Sequence, residues 1–198
     1  MQAAFPTCPL ARAKAAPEHT ALLTAAFPAR LRAEVAHIAE EICPWVMRGR
    51  GLSVIVQDES LTLPYRVQHR GSDSLSSTLA EPQALIYACI QSRHHDGHVR
   101  QRQIERLAGA SEPWVVPSVA QLCSEYAVEI LQDIEARLPL LDKHVYGTVL
   151  RGNPALLDLA QQRMTRYWDC YYRRRWLRSE TYVGFRLFKQ FREWQVSG

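Results

Sequence analysis

Apolar residues recur along this chain with two different periods, and the change from one to the other marks out its elements. From Pro117 onward Val119, Leu122, Cys123, Tyr126, Ile130, Ile134 and Leu138 fall at steps of three and four, a single stripe of an α-helix. Glu125, Glu129 and Asp133 run along the same cylinder at steps of four, an acidic row on its other side. A helix from 117 to 138 would be about 33 Å long at ~1.5 Å per residue, roughly the width of a small domain. The pattern predicts it as the central helix on which the others pack. An earlier stripe, Leu31, Val35, Ile38, Ile42 and Trp45, starts after Pro28 and meets Pro44, which kinks or ends it. Arg48-Gly49-Arg50-Gly51 breaks the helical pattern and the period falls to two. Leu52, Val54 and Val56 alternate with polar neighbours, and after Asp58-Glu59-Ser60 so do Leu61, Leu63, Tyr65 and Val67. This predicts a β-hairpin over about 52–68 whose apolar face lies on the helices. Pro64 cannot donate to a ladder, which makes its strand an edge.

Residues 1–17 read as a loose N-terminal tail and 70–80 as a mobile Ser-rich loop. Helices are predicted at about 81–93, 97–108, 114–138, 142–151, 154–177 and 180–195, with Asn153-Pro154 as a stop and a start. The fold class is therefore mainly α: a single irregular helical domain over 18–198 with one small β-hairpin. At 198 residues and 47% hydrophobic the chain can fill one real core, and 22% charged residues is ordinary for a soluble protein. No run approaches the ~18–20 apolar residues needed to cross a bilayer. The N-terminal stretch has no continuous apolar segment after its basic residues, so no secretory signal is expected. Five scattered cysteines form no CxxC pair, and Cys89, Cys123 and Cys170 read as small buried hydrophobes. A reducing compartment, the cytoplasm, follows as the expectation.

Charge changes the picture more than composition does. Residues 163–198 carry nine Arg or Lys against three acids, while the rest of the chain holds fifteen bases against seventeen acids. Between 112 and 142 six acids face one base, Arg137. The molecule is expected to be electrically two-ended.

Several stretches carry candidate chemistry. His94-His95-Asp96-Gly97-His98 has zinc-ligand residue types, but no Cys or His pair elsewhere offers the closing ligands. Asp-Gly is also a turn signal, and Asp96 can cap the next helix; turn and cap is the reading, and no metal is expected. Glu34-x-x-His37, followed by Glu41, is half of a di-iron motif and occurs once, where two copies are needed. Ile104 to Val115 has the turn Gly109, cap Ser111 and buried Val115 of a helix-turn-helix. Glu105, Leu107, Pro113 and Pro117 depart from that motif, and its groove-facing side offers no base-reading side chain. Arg163 to Arg178 interleaves arginines with Tyr167, Trp168, Tyr171, Tyr172 and Trp176, a composition that binding of single-stranded nucleic acid uses. Leu156, Leu159, Ala160, Met164, Tyr167, Trp168 and Tyr171 keep one helical stripe, which favours core aromatics with solvated arginines. A protein partner or pairing with the acidic helix is the remaining alternative. No nucleophile constellation, phosphate-cradling glycine loop or dinucleotide fingerprint is present.

Residues 96–138 resemble HEAT-like helical repeats. Asp96-Gly97-His98-Val99-Arg100 followed by Ile104 and Leu107 looks like the second helix of such a repeat, and Pro113 to Leu138 like a following helix. The resemblance implies HEAT-like helix pairs and a scaffold that binds proteins. The combined expectation is a non-enzymatic protein-binding module in the cytoplasm, of adaptor or bacterial immunity/antitoxin type, with no cofactor, no catalytic residues and no membrane partner. Its partner would be a protein with a basic surface. The contact residues expected are Glu125, Glu129 and Asp133 on the acidic face, with Arg166, Arg173, Arg174 and Trp176 on the aromatic-basic C-terminus. A nucleic-acid binder using 163–192 is the alternative.

Overall fold

The computed structural model describes residues 15–47, 51–69 and 73–197. Most of the expected tail, the Arg48 to Arg50 part of the helix break and the start of the Ser-rich loop lie outside the described residues. Pro17 opens α1 (Pro17–Thr24) at the first helical position, where its missing N–H costs no hydrogen bond. A 3-10 turn at Ala29–Leu31 leads into α2 (Arg32–Ile42), which buries Val35, Ile38, Ala39 and Ile42 as one stripe. It stops at Cys43, whose φ of 47° is left-handed, immediately before Pro44. Trp45, expected to continue the helical stripe, instead opens β1 (Trp45–Val46).

The hairpin forms where the period of two predicts it. β2 (Leu52–Val56) and β3 (Glu59–Leu63) pair antiparallel from Leu52↔Leu63 to Val56↔Glu59. Gln57 and Asp58 turn the chain with φ of 51° and 65°, the two positive values a two-residue turn needs to match strand twist. Val54, Val56, Leu61 and Leu63 face the core, whereas Ile55 is 57% exposed. The second strand is not continuous to Val67. β3 ends at Leu63 because Pro64 has no N–H to offer, and β4 (Val67–Gln68) pairs with β1 instead, Val46 opposite Val67.

The remaining elements are helical, and the fold is mainly α. A short α3 (Asp73–Thr78) replaces part of the expected Ser-rich loop. α4 (Gln83–Gln91) is buried from Ala84 through Gln91. α5 (Gly97–Arg102) and α6 (Ile104–Ala108) divide the expected 97–108 helix, since the Gln103 amide turns back onto the Arg100 carbonyl at 3.2 Å. α7 (Val116–Leu122) follows a 3-10 turn at Pro113–Val115 and is buried at all seven positions. α8 (Val128–Ala136) is separate from it, so the long helix expected over 114–138 is broken at 123–127. There the Ser124 hydroxyl donates to the Gln121 carbonyl at 2.7 Å, competing with the helical ladder. The Tyr172 hydroxyl occupies the gap, donating to the Tyr126 carbonyl at 2.8 Å and accepting from the Val128 N–H at 3.3 Å.

α9 (Lys143–Gly152) is capped by Asp142, whose carboxylate accepts from the His144 and Val145 amides. α10 (Pro154–Tyr167) starts at its proline as expected and runs into a π-helical turn, Trp168–Tyr172. α11 (Val183–Ser197) closes the described chain and packs on α8, α9 and α10. One contiguous apolar cluster extends from Leu23 to Phe191; α4 and α7 are its innermost helices, so only the first part of the expected 117–138 helix is central.

The hairpin is held to the helices by more than its apolar face. Asn153 accepts from the Ile55 amide at 2.7 Å and donates to the Ile55 carbonyl at 2.7 Å and to the Val149 carbonyl at 2.9 Å, acting as a neighbouring strand would. Asn153→Ala should cost about 1–3 kcal/mol in urea unfolding, from lost hydrogen bonds at a buried side chain. A change below a few tenths would mean that water replaces the amide without penalty.

Candidate functional site

The break at 123–127 turns Glu125 inward. Its side chain is 4% exposed, and three arginines converge on the carboxylate: Arg66 and Arg100 reach Oε2 through Nη2 at 2.9 and 3.1 Å, and Arg93 approaches Oε1 at 3.5 Å. They come from three places: the β3–β4 loop, the turn after α4, and α5. The loop and the turn are tied together, because the Val67 amide donates to the Arg93 carbonyl at 2.9 Å and Val67 bridges to His94. Arg100, 1% exposed, also donates from Nη1 to the His94 and His95 carbonyls at 2.8 and 2.9 Å. Arg66 donates to the Tyr65 carbonyl at 3.1 Å and lies over the Tyr65 ring at 4.9 Å; Arg163 of α10 reaches the same ring at 5.4 Å.

Burial works against the charge of these guanidiniums. Arg93 is pushed down to about 9, first by desolvation and then by Arg66 and Arg100, with Glu125 opposing. Arg100 is lowered for the same leading reason. Three cations share one carboxylate here, and arginine stays protonated at any physiological pH.

The histidine stretch borders this cluster. Asp96 caps α5, its carboxylate accepting from the His98 amide at 2.8 Å. The rings of His69, His94 and His95 lie in series, with centroids 4.8 and 4.2 Å apart. Among the described residues, no group of three or more His, Cys, Asp or Glu is placed to hold a metal. His69 and His94 are both lowered to about 4, mainly by desolvation and then by neighbouring imidazoles.

The other sequence-predicted residues fall in two groups. On α8, Glu129 is exposed, while Asp133 accepts from Gln101 at 2.7 Å and sits 3.9 Å from Arg137. Glu135, two residues further on and on another side of α8, is held by both arms of Arg186 at 2.7 Å. The acidic row is thus not an open surface: its first member is buried, and the face beyond it is partly matched within the chain. At the C-terminus Arg166, Arg173 and Arg174 are exposed, Arg173 pairing with Asp169 at 2.7 Å. Trp176 is half-buried against Tyr172 and Tyr182, its carbonyl accepting from the Trp168 indole at 3.1 Å. Trp168 in turn packs on Phe185, and Tyr172 stacks on Tyr182. Tyr171, 70% exposed, stacks on Tyr167, which meets Tyr126 edge-on. A shallow depression of about 740 Å³ lies among Asp169, Cys170, Tyr171, Arg173, Arg174 and Leu177. Cys89 and Cys123 are buried as expected, but Cys170 is exposed.

The helix-turn-helix reading ends here, since the would-be recognition segment is the fully buried α7 and cannot enter a groove. Of the arginines that surround Glu125, Arg66 and Arg93 were not singled out from sequence, and Arg100 only as part of the HEAT-like stretch. Their one local signal is position: Arg93 follows the wholly apolar run from Ala84 to Ile90, and Arg100 falls among the apolar positions of α5 and α6. No protein-family model matches this chain, no curated protein aligns with it significantly, and no solved structure resembles it significantly.

Glu125→Gln should destabilise by about 3–5 kcal/mol, because it strands buried guanidiniums. Glu129→Lys, on the exposed face, should stay within about 0.5 kcal/mol. Equal losses in chemical denaturation would place Glu125 at the surface. The histidines set a pH dependence. Their unfolded forms take up protons near pH 6.5 and the folded forms only near 4. The unfolded state therefore binds more protons in that interval, and stability, complete above pH 6.5, should drain as pH falls toward 4. The urea midpoint should drop between pH 7 and pH 5, and His94→Gln should flatten the slope.

Proposed function

We propose that this protein is a non-enzymatic protein-binding module, of adaptor or immunity type, working in the cytoplasm. Its contact face is the basic, tyrosine-bearing surface from Arg163 to Arg178, and its partner is acidic. The observation that carries this reading is the exposure of Arg166 and Arg174 beside Tyr171 and Leu177, which are 70% and 80% exposed. Neither arginine makes an ion pair among the described residues, and arginine, tyrosine and exposed aliphatic area together are the composition of an interface core. An acidic partner is favoured over the basic one expected from sequence. Glu125 is consumed inside the chain and Asp133 is engaged, which leaves Glu129 alone on that face. The likeness of 96–138 to HEAT-like repeats supports binding over catalysis. No helix among the described residues is long and apolar enough to cross a membrane.

A nucleic-acid binder would use the same cations, but it also needs rings free to stack. Trp168, Tyr172 and Trp176 are occupied by one another and by Tyr182 and Phe185, which removes most of that platform. Affinity capture with the wild-type chain, Arg173→Glu/Arg174→Glu and Glu129→Lys decides between the two. The double reversal should lose an acidic polypeptide that the Glu129→Lys chain still retains, and nuclease treatment should leave the retention unchanged. Salt-sensitive retention of RNA or DNA, lost on nuclease treatment, would replace this reading with the nucleic-acid one.

A further inference from the structure

The cluster around Glu125 holds more positive charge than its surroundings neutralise. Arg66, Arg93 and Arg100 contact one carboxylate, and Arg163 reaches the Tyr65 ring beside them. The other ionisable groups facing them include the tyrosines Tyr65, Tyr126 and Tyr167, the imidazoles of His94 and His95, the buried Cys89 thiol beside Arg93, and Asp96, whose carboxylate is engaged in capping α5. Buried charges are ordinarily paired, since removing an ion from water without a counterion is costly. Here the Nε atoms of Arg93 and Arg100, both on side chains at least nine-tenths buried, have no hydrogen-bond partner among the described residues. The void beside Arg93 is about 10 Å³, room for a single water. A larger group would therefore meet the cluster from its open edge, where the Arg66 side chain is 18% exposed.

We infer that this cluster is a receptor for an oxyanion supplied from outside the chain, a carboxylate or phosphate group that docks at the Arg66 edge with Arg163 as its second cation. Glu125 already displays the chemistry: Arg66 holds a carboxylate oxygen at 2.9 Å and the planar fork retains further donors. Both guanidiniums contact one ring, Arg66 at 4.9 Å and Arg163 at 5.4 Å from the Tyr65 centroid, which ties the two cations to a common anchor. The site is independent of the exposed 166–178 face and does not rest on the function proposed above.

The test is thermal unfolding of the full chain titrated with inorganic phosphate and, separately, with malonate, each against sodium chloride at matched ionic strength. The wild-type chain should show a saturable rise in melting temperature, about 3 °C at tenfold the dissociation constant, for at least one anion. The anion that gives the larger shift identifies the group the site takes. Arg66→Gln/Arg163→Gln should abolish the shift while melting, without anion, at or above the wild-type temperature, because Arg93 and Arg100 still neutralise Glu125. Arg173→Glu/Arg174→Glu should keep the full response, which separates this site from the partner-binding face. Equal shifts in the wild type and the Arg66/Arg163 variant, or no shift in either, would overturn the inference. So would an anion-free melting temperature well below wild type in the variant, since Arg66 would then be needed for Glu125 itself.

Discussion

One buried carboxylate sets the terms for the middle of this molecule. Glu125 cannot be left alone inside, and the three guanidiniums that satisfy it come from the β3–β4 loop, the end of α4 and α5. Each of these segments must therefore arrive at one point. A buried ion pair of this sort adds little net stability over a well-packed apolar substitute, but leaving one side unpaired is severe. Its effect is to penalise other arrangements of these segments. The same requirement explains the break between α7 and α8: a continuous helix keeps Glu125 on the acidic face, and only the turn at 123–127 brings it under the arginines.

That turn is held from the other end of the chain. The Tyr172 hydroxyl joins the Tyr126 carbonyl to the Val128 amide, and the Tyr172 ring is fixed by stacking on Tyr182 and by Trp176. Aromatics that look like a stacking platform in the sequence are mostly the inner lining of a C-terminal packing cluster. Trp168, Tyr171 and Tyr172 lie in the π-helical turn Trp168–Tyr172, where Trp168 and Tyr172 pack on the core while Tyr171 stays out. The buried cluster and the exposed basic face are thus coupled through one tyrosine.

The sequence displays the parts of this fold that rest on local periodicity. The α2 stripe, the alternation in β2 and β3, the Asp96 cap and the Pro154 start all follow from side-chain spacing and backbone chemistry acting over a few residues. What it conceals depends on partners distant in the chain. Nothing local distinguishes Glu125 from Glu129, since both fall on the same four-residue row; the arginines that decide which is buried lie 59, 32 and 25 residues earlier. Trp45 fits the helical register until Val46 finds Val67 as a strand partner. Arg93 carries no reading of its own in the sequence and Arg100 figures only in the HEAT-like stretch, because a buried arginine looks no different from an exposed one without its counterion in view.

The consequence for charge is larger than the loss of one surface acid. The sequence describes a two-ended molecule, acidic at 112–142 and basic at 163–198. In the fold the first acid of the row is neutralised inside by more cations than it can balance, and Glu135 is bound by Arg186. Tyr65, Tyr126, Tyr167 and Tyr171 then run from that interior excess toward the exposed arginines, with Arg163 beside the first of them. A face of that kind draws in anionic groups over several ångströms before any contact forms, and it repels cationic surfaces over the same range.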